Sequence, residues 1–288
     1  MPRMSTELDE PYPISPRPTQ LCTPPLYRFQ RRHFEIFDFM FLTTNLAVAA
    51  DDVRAAAINA LSNPDSDDDT RMIAYKKNPT PNFDRIFAYA NYRSEVMTVF
   101  LVDNFLGFLS EVIELCSRKR PELLKSSSQI SVEDALRFST KKELVDFIIN
   151  RQINELSYGG IFAIEDFLMS RTKISFSDDE IARSRLNFAT ELRNVYVHSR
   201  GVINELFMSR VKSTDHGFSP VLGQRFHANF DALCILANNL ILIANDLDSK
   251  LAKKFNLQRK KYSTWDVERK DRLARSLEKL KNDSNTED

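Results

Sequence analysis

The sequence predicts an all-α protein, an antiparallel helical bundle with an extra N-terminal helix and a charged C-terminal helical tail. Three observations carry this. Glycine is scarce, with 6 in 288 residues. Apolar residues recur at three- and four-residue steps in long segments. No stretch alternates apolar and polar residues for more than a few positions, as a half-exposed strand would. A 42% hydrophobic content is enough to build a core. The 40 basic and 40 acidic side chains cancel, which excludes a chain that coats nucleic acid or membrane by bulk charge.

Four segments follow in order. Residues 1–25 hold several prolines and acidic residues, unlike a secretory signal, and read as a disordered tail. Residues 26–82 hold a first helix from about Tyr27 to Leu61, with Phe34, Phe37, Phe41 and Val48 among its apolar positions. An exposed loop from Ser62 to Asn82 follows, marked by Pro64, Pro79, Pro81 and the run Asp67, Asp68, Asp69. Residues 83–256 form the main helical domain. Its first helix runs from Phe83 to Arg120, where Pro121 stops it, and its rings Phe87, Phe100, Phe105 and Phe108 are expected in the core. A helix over Lys141–Leu156 turns at Tyr158, Gly159 and Gly160 into a shorter one ending near Ser170.

Ser177, Asp178, Asp179 and Glu180 then supply a hydroxyl cap and acidic residues for a helix start. This helix is expected to continue past Phe188, Leu192 and Phe207 to about Val211. A loop over Ser213–Pro220 leads to the last core helix, Gln224–Phe255. Residues 257–288 are the charged tail. From Lys250 to Lys281 there are 12 Lys or Arg against 4 Asp or Glu. Tyr262 and Trp265 lie among these charges, which leaves two readings open, a solvated helix or rings that stack on bases.

The chemistry-bearing motifs are few. Cys22, Cys116 and Cys234 are an odd number at wide spacing, which suits a reducing cytoplasm and gives no disulfide framework. The longest uncharged apolar stretch, Ala232–Asn245, falls short of the roughly 20 residues of a membrane span, so no span is expected. No nucleotide-binding loop, dinucleotide fingerprint or zinc-helix motif occurs, and no metal or cofactor is expected.

Three arginines precede a histidine by five or six positions: Arg28 with His33, Arg193 with His198, and Arg210 with His216. Only Arg193 is followed by a polar amide, Asn194. At 100° per residue Asn194 lies 100° and His198 140° from Arg193, on one half of the helix. If the helix continues, Thr190, Glu191, Arg200, Asn204 and Glu205 share that half, while Phe188, Leu192, Val195, Tyr196 and Phe207 face the core. Val197 and Gly201 keep the polar face shallow.

The run Arg193-Asn194-x-x-x-His198 in a helical setting resembles the HEPN domain family. The family's mark is an arginine, a polar residue often Asn, and a histidine four to six residues on, in an α-helical bundle. The resemblance covers about residues 83–256. It implies either a metal-independent endoribonuclease, in which two motifs of a homodimer face a shared cleft through the motif-bearing helix, or a non-catalytic module that binds RNA or a protein.

In the first case His198 is the base for the 2′-hydroxyl, Arg193 holds the charge developing on the phosphate, and Asn194 orients the imidazole or binds phosphate. RNA is then the partner and a 2′,3′-cyclic phosphate the product, in a setting of defence or stress response. Arg200, Asn204, Lys260 and Lys261 are the expected RNA-binding residues. Some HEPN toxins carry a tyrosine two residues after the histidine that a partner modifies. Here that position is Arg200, so the sequence leaves open which regulatory or antitoxin partner, if any, would act.

Overall fold

A computed structural model describes residues 12–61, 81–124, 133, 137–211 and 216–284. The expected loop over Ser62–Asn82 lies almost wholly outside them. Eight α-helices occur among the described residues, and the all-α expectation holds. They are α1 Pro24–Leu61, α2 Asn82–Ala88, α3 Ala90–Lys119, α4 Lys141–Thr172, α5 Glu180–Ser199, α6 Glu205–Arg210, α7 Phe230–Phe255 and α8 Tyr262–Ser284. A 3-10 turn, Pro121–Leu124, follows α3, as a proline after a helix end favours. One two-residue antiparallel ladder pairs β1, Leu21–Cys22, with β2, Lys260–Lys261.

Local chemistry sets the helix starts. Thr140, Asp179, Asn204 and Asn229 each accept a backbone N–H of the first turn of α4, α5, α6 and α7. Ser177, expected as the cap of α5, sits one step earlier, and its Oγ accepts the Asp179 N–H at 3.1 Å. In α2 the cap comes from a neighbouring helix. The Asp51 carboxylate of α1 accepts the N–H groups of Asn82 and Phe83, both at 2.8 Å. Those two bonds, Phe83's first, hold Asp51 below its ordinary pKa.

α3 is the hub, packing on α1, α4, α5 and α7. By length and composition α3 and α7 would suffice to cross a membrane, but at least half of each apolar stretch is buried in this core. Phe105 and Phe108 of α3 meet Phe29 of α1 with ring centroids 6.0 and 5.5 Å apart. A second aromatic nest gathers Phe207, His216, Phe218 and Phe226 around Phe188 of α5. The core runs without interruption from Cys22 to Trp265, across every segment boundary expected from the sequence.

Several expectations are corrected. Residues 12–25 are not a loose tail. The Ile14 N–H donates to Asn238 Oδ1 at 2.9 Å, Cys22 is fully buried, and the Thr23 hydroxyl donates to the buried Asp248 carboxylate. Phe87 and Phe100 are exposed, as are Phe34, Phe41 and Val48. The expected Phe83–Arg120 helix is broken at Tyr89. The two helices expected around Gly159 and Gly160 run on as α4, kinked at Gly160, whose φ of 75° and ψ of −172° are open to glycine but costly for other residues.

The helix expected to reach Val211 instead ends at Ser199. Arg200 (φ 52°) and Gly201 (φ 82°) turn left-handed, and the Gly201 N–H closes the end on the Val195 carbonyl at 3.1 Å. The chain then runs beside residues 223–226, with the Ile203 N–H donating to Gln224 O at 2.9 Å. That pairing keeps 224–229 out of α7, which starts six residues later than expected, at Phe230. In the tail, Trp265 is buried and its indole N–H donates to Cys22 O at 2.9 Å. Tyr262 packs on Tyr27 with centroids 5.1 Å apart, so neither ring is free to stack on bases.

Candidate functional site

The three Arg and His pairs separate in space. His33 is buried between Phe29 and Phe37, and its Arg28 points outward to Glu111 at 2.8 Å. His216 lies under the Phe188 ring, and its Nδ1 accepts the Phe218 N–H at 3.0 Å. Both histidines are structural. His198 is the exception. It is exposed in the last turn of α5, and its imidazole makes no hydrogen bond with the described residues.

Arg193, one and a half turns back, is partly buried. Its Nε donates to Asp103 Oδ1 of α3 at 2.8 Å, and Nη1 reaches the Asn194 Oδ1 at 3.3 Å. The guanidinium is thus held at Nε and at Nη1, leaving Nη2 to donate elsewhere. Asn194 stands between its two partners. It lines both a cleft of about 380 Å³, shared with Arg193 and the Gly159–Gly160 kink, and a cleft of about 370 Å³, shared with His198.

The chain reversal at Gly201 supplies what the sequence reading missed. It swings α6 back against α5, placing Arg210 in both clefts, with its Nη1 3.3 Å from each oxygen of Glu191. Glu191 and Thr190, both expected on the exposed polar half, are buried. Arg210 had been visible only as another arginine before a histidine. The useful signal was Gly201, which reads as a helix end as readily as a shallow patch. Asp103 carried no signal of its own, being one acidic residue among many on a different helix.

The expected RNA contacts fare unevenly. Arg200 is exposed at the end of α5, two residues past His198. Asn204 is a cap: its Oδ1 accepts the Phe207 N–H at 2.8 Å and its Nδ2 donates to Ser199 Oγ at 3.0 Å, so its amide is already engaged. Lys260 bonds Glu268 at 2.6 Å and lies 4.4 Å from the Trp265 ring centre. Lys261 is exposed on β2. β2 packs against β1 and α8, whereas α5 packs against α3, α6 and α7, so the structure does not group the two lysines with the motif.

Tyr196, between Asn194 and His198 in sequence, donates its hydroxyl to Phe226 O at 3.2 Å, and burial pushes its pKa up, which removes it as a proton donor. No cluster of three or more His, Cys, Asp or Glu set to hold a metal occurs among the described residues. No family model matches the chain, and neither the curated proteins nor the solved structures contain a match.

Proposed function

We propose that this chain is a HEPN-like endoribonuclease that uses no metal, with His198 as base and Arg193 as the phosphate-holding group. The observation that carries the reading is selective exposure: of three Arg and His pairs at the motif spacing, only in Arg193 and His198 do both members line open clefts, two neighbouring ones that share Glu191, Asn194 and Arg210. A neutral imidazole takes the 2′-hydroxyl proton, and the oxygen attacks the adjacent phosphorus. The P–O bond to the 5′-oxygen breaks, that oxygen picks up a proton, and the products are a 2′,3′-cyclic phosphate and a 5′-hydroxyl.

Negative charge on the phosphoryl oxygens is met by Nη2 of Arg193, oriented by Asp103, and by Arg210 in the same cleft. RNA is the substrate because DNA lacks the nucleophile. Exposed Val197, next to His198 in the chain, and Leu206, in the same cleft, suit a second copy approaching the motif helix. A setting in cytoplasmic defence or stress response, and any regulatory partner, follow from the family resemblance alone.

One observation favours a second reading, a module that binds RNA or protein without cutting. Both cleft arginines already hold a carboxylate, Arg193 with Asp103 and Arg210 with Glu191. Incubation of labelled single-stranded RNA and matched DNA with the protein in EDTA separates the two. RNA-only cleavage that is lost in His198→Ala supports the nuclease. Salt-sensitive binding of intact RNA by both proteins supports the module.

A further inference from the structure

The distal half of α1 leaves a heptad seam uncovered. Phe39, Leu42, Leu46, Ala49, Val53, Ala56 and Ala60 alternate in steps of three and four, the spacing at which one helix buries a stripe against another. All seven are exposed, and Phe39 and Val53 keep 67% and 71% of their surface. Beside the start of the seam, Tyr92 and Phe100 of α3 add exposed rings at 65% and 50%, forming a groove of about 700 Å³ between the two helices. The six large apolar side chains present roughly 600 Å² in all, taking about 100 Å² each. That approaches the ~800 Å² per partner of a standard interface and stands at the upper end of the largest apolar patch on an ordinary monomer, about 300–600 Å².

The charges on the rim select the occupant. Arg32, Glu35, Asp38 and Arg93 line this groove, two of each sign, so it repels no copy of itself. Arg93 gives Nη1 to Thr44 at 3.1 Å, but it has no acidic partner among the described residues, and Asp38 likewise has no basic one. A two-fold contact places each residue of the surface opposite its counterpart's surface, which lets an unpaired cation and an unpaired anion on one rim answer each other.

We propose that this seam and groove bind a second copy of the chain, α1 against α1 in a two-fold helical pair. The contact lies on a different helix from the motif and does not depend on the ribonuclease reading. The small residues Ala49, Ala56 and Ala60 let the two helices approach closely along the outer seam, while Phe39 and Tyr92 fill the inner end.

The test measures mass in solution by light scattering for the full chain and for Leu42→Glu with Leu46→Glu. Both positions are exposed, so the monomer fold should persist, checked by circular dichroism. The seam variant should have half the mass of the wild type. A parallel Val197→Glu variant on the motif helix reports separately on that face. As a second readout, Ala49→Cys should form a covalent dimer on oxidation, since the three native thiols are buried. A monomeric wild type, or a seam variant of unchanged mass, overturns the proposal.

Discussion

Replacing Gly201 by Ala probes the reversal that ends the motif helix and brings Arg210 to the cleft. Gly201 has φ of 82°, where an added Cβ costs about 1–2 kcal/mol by local sterics. That Cβ would also stand 3.0 and 3.1 Å from Nε and Cγ of Arg225, and 3.4 Å from the Tyr196 ring. Arg225 is held to Glu95 at 2.8 Å, so moving it off its rotamer adds about 0.5–1.5 kcal/mol. The total, about 1.5–3.5 kcal/mol, lowers Tm by roughly 3–7 °C, at about 2 °C per kcal/mol for a chain of this size. Thermal unfolding followed by circular dichroism is the assay, with two internal controls. Gly223→Ala, at φ 78° with nothing within 4 Å, should show only the backbone cost, a smaller loss. Gly107→Ala, in open space on α3 without a positive φ, should raise Tm, because alanine favours a helix by about 0.5–1 kcal/mol. A Gly201→Ala protein as stable as wild type would refute the strain argument, and with it the account of why α5 stops at Ser199.

Buried His33 predicts a pH dependence: burial lowers its pKa from 6.5 to about 3, so it stays neutral in the native state while the unfolded chain takes up a proton. Its contribution is therefore full above pH 6.5 and falls as pH drops toward 3, by up to about 1.4 kcal/mol per unit. His33→Leu should flatten that part of a urea-denaturation profile, and an unchanged slope would contradict the assignment. Trp265→Ala should cost about 3–5 kcal/mol and expose α8 to limited proteolysis. Unaltered digestion would show the helix is not docked by that ring. Asp103→Ala should leave Tm nearly unchanged, since a part-exposed ion pair is worth under about 1 kcal/mol. It should lower kcat for RNA about 10- to 100-fold with little change in KM, as Arg193 loses its orientation. A rise in KM alone would instead make Asp103 part of the binding surface.

Helix content was legible because periodicity is a local property, and the capping residues Asp179 and Asn229 mark starts directly. Tertiary decisions were not. Phe105 and Phe100 look alike in sequence, five residues apart on one apolar helix, yet only Phe105 meets the core, because burial depends on which neighbours reach that height of α3. The tail from Lys250 to Lys281 read as charged and solvated. A single tryptophan seated against Cys22, with β1 and β2 pairing residues 238 apart, holds its first turns in place. Long-range pairing of this kind leaves no periodic trace.

The site shows the same division. Arg193, Asn194 and His198 share a helix face by spacing alone. That His198 is open while His33 and His216 are enclosed depends on packing by Phe29, Phe37 and Phe188. Asn204 read as a phosphate contact because the helix was taken as continuous. Once Gly201 breaks it, the same residue becomes the cap of α6. Arg210 moves from an irrelevant pair into the cleft for the same reason.

The most direct test of the ribonuclease account is the chemistry of the cut ends, read by mass spectrometry after incubating RNA with the protein in EDTA. The account predicts 2′,3′-cyclic phosphate and 5′-hydroxyl ends from the wild type and none from His198→Ala. Ends bearing a 3′-hydroxyl and a 5′-phosphate, or cyclic phosphate made equally well by the variant, would contradict it.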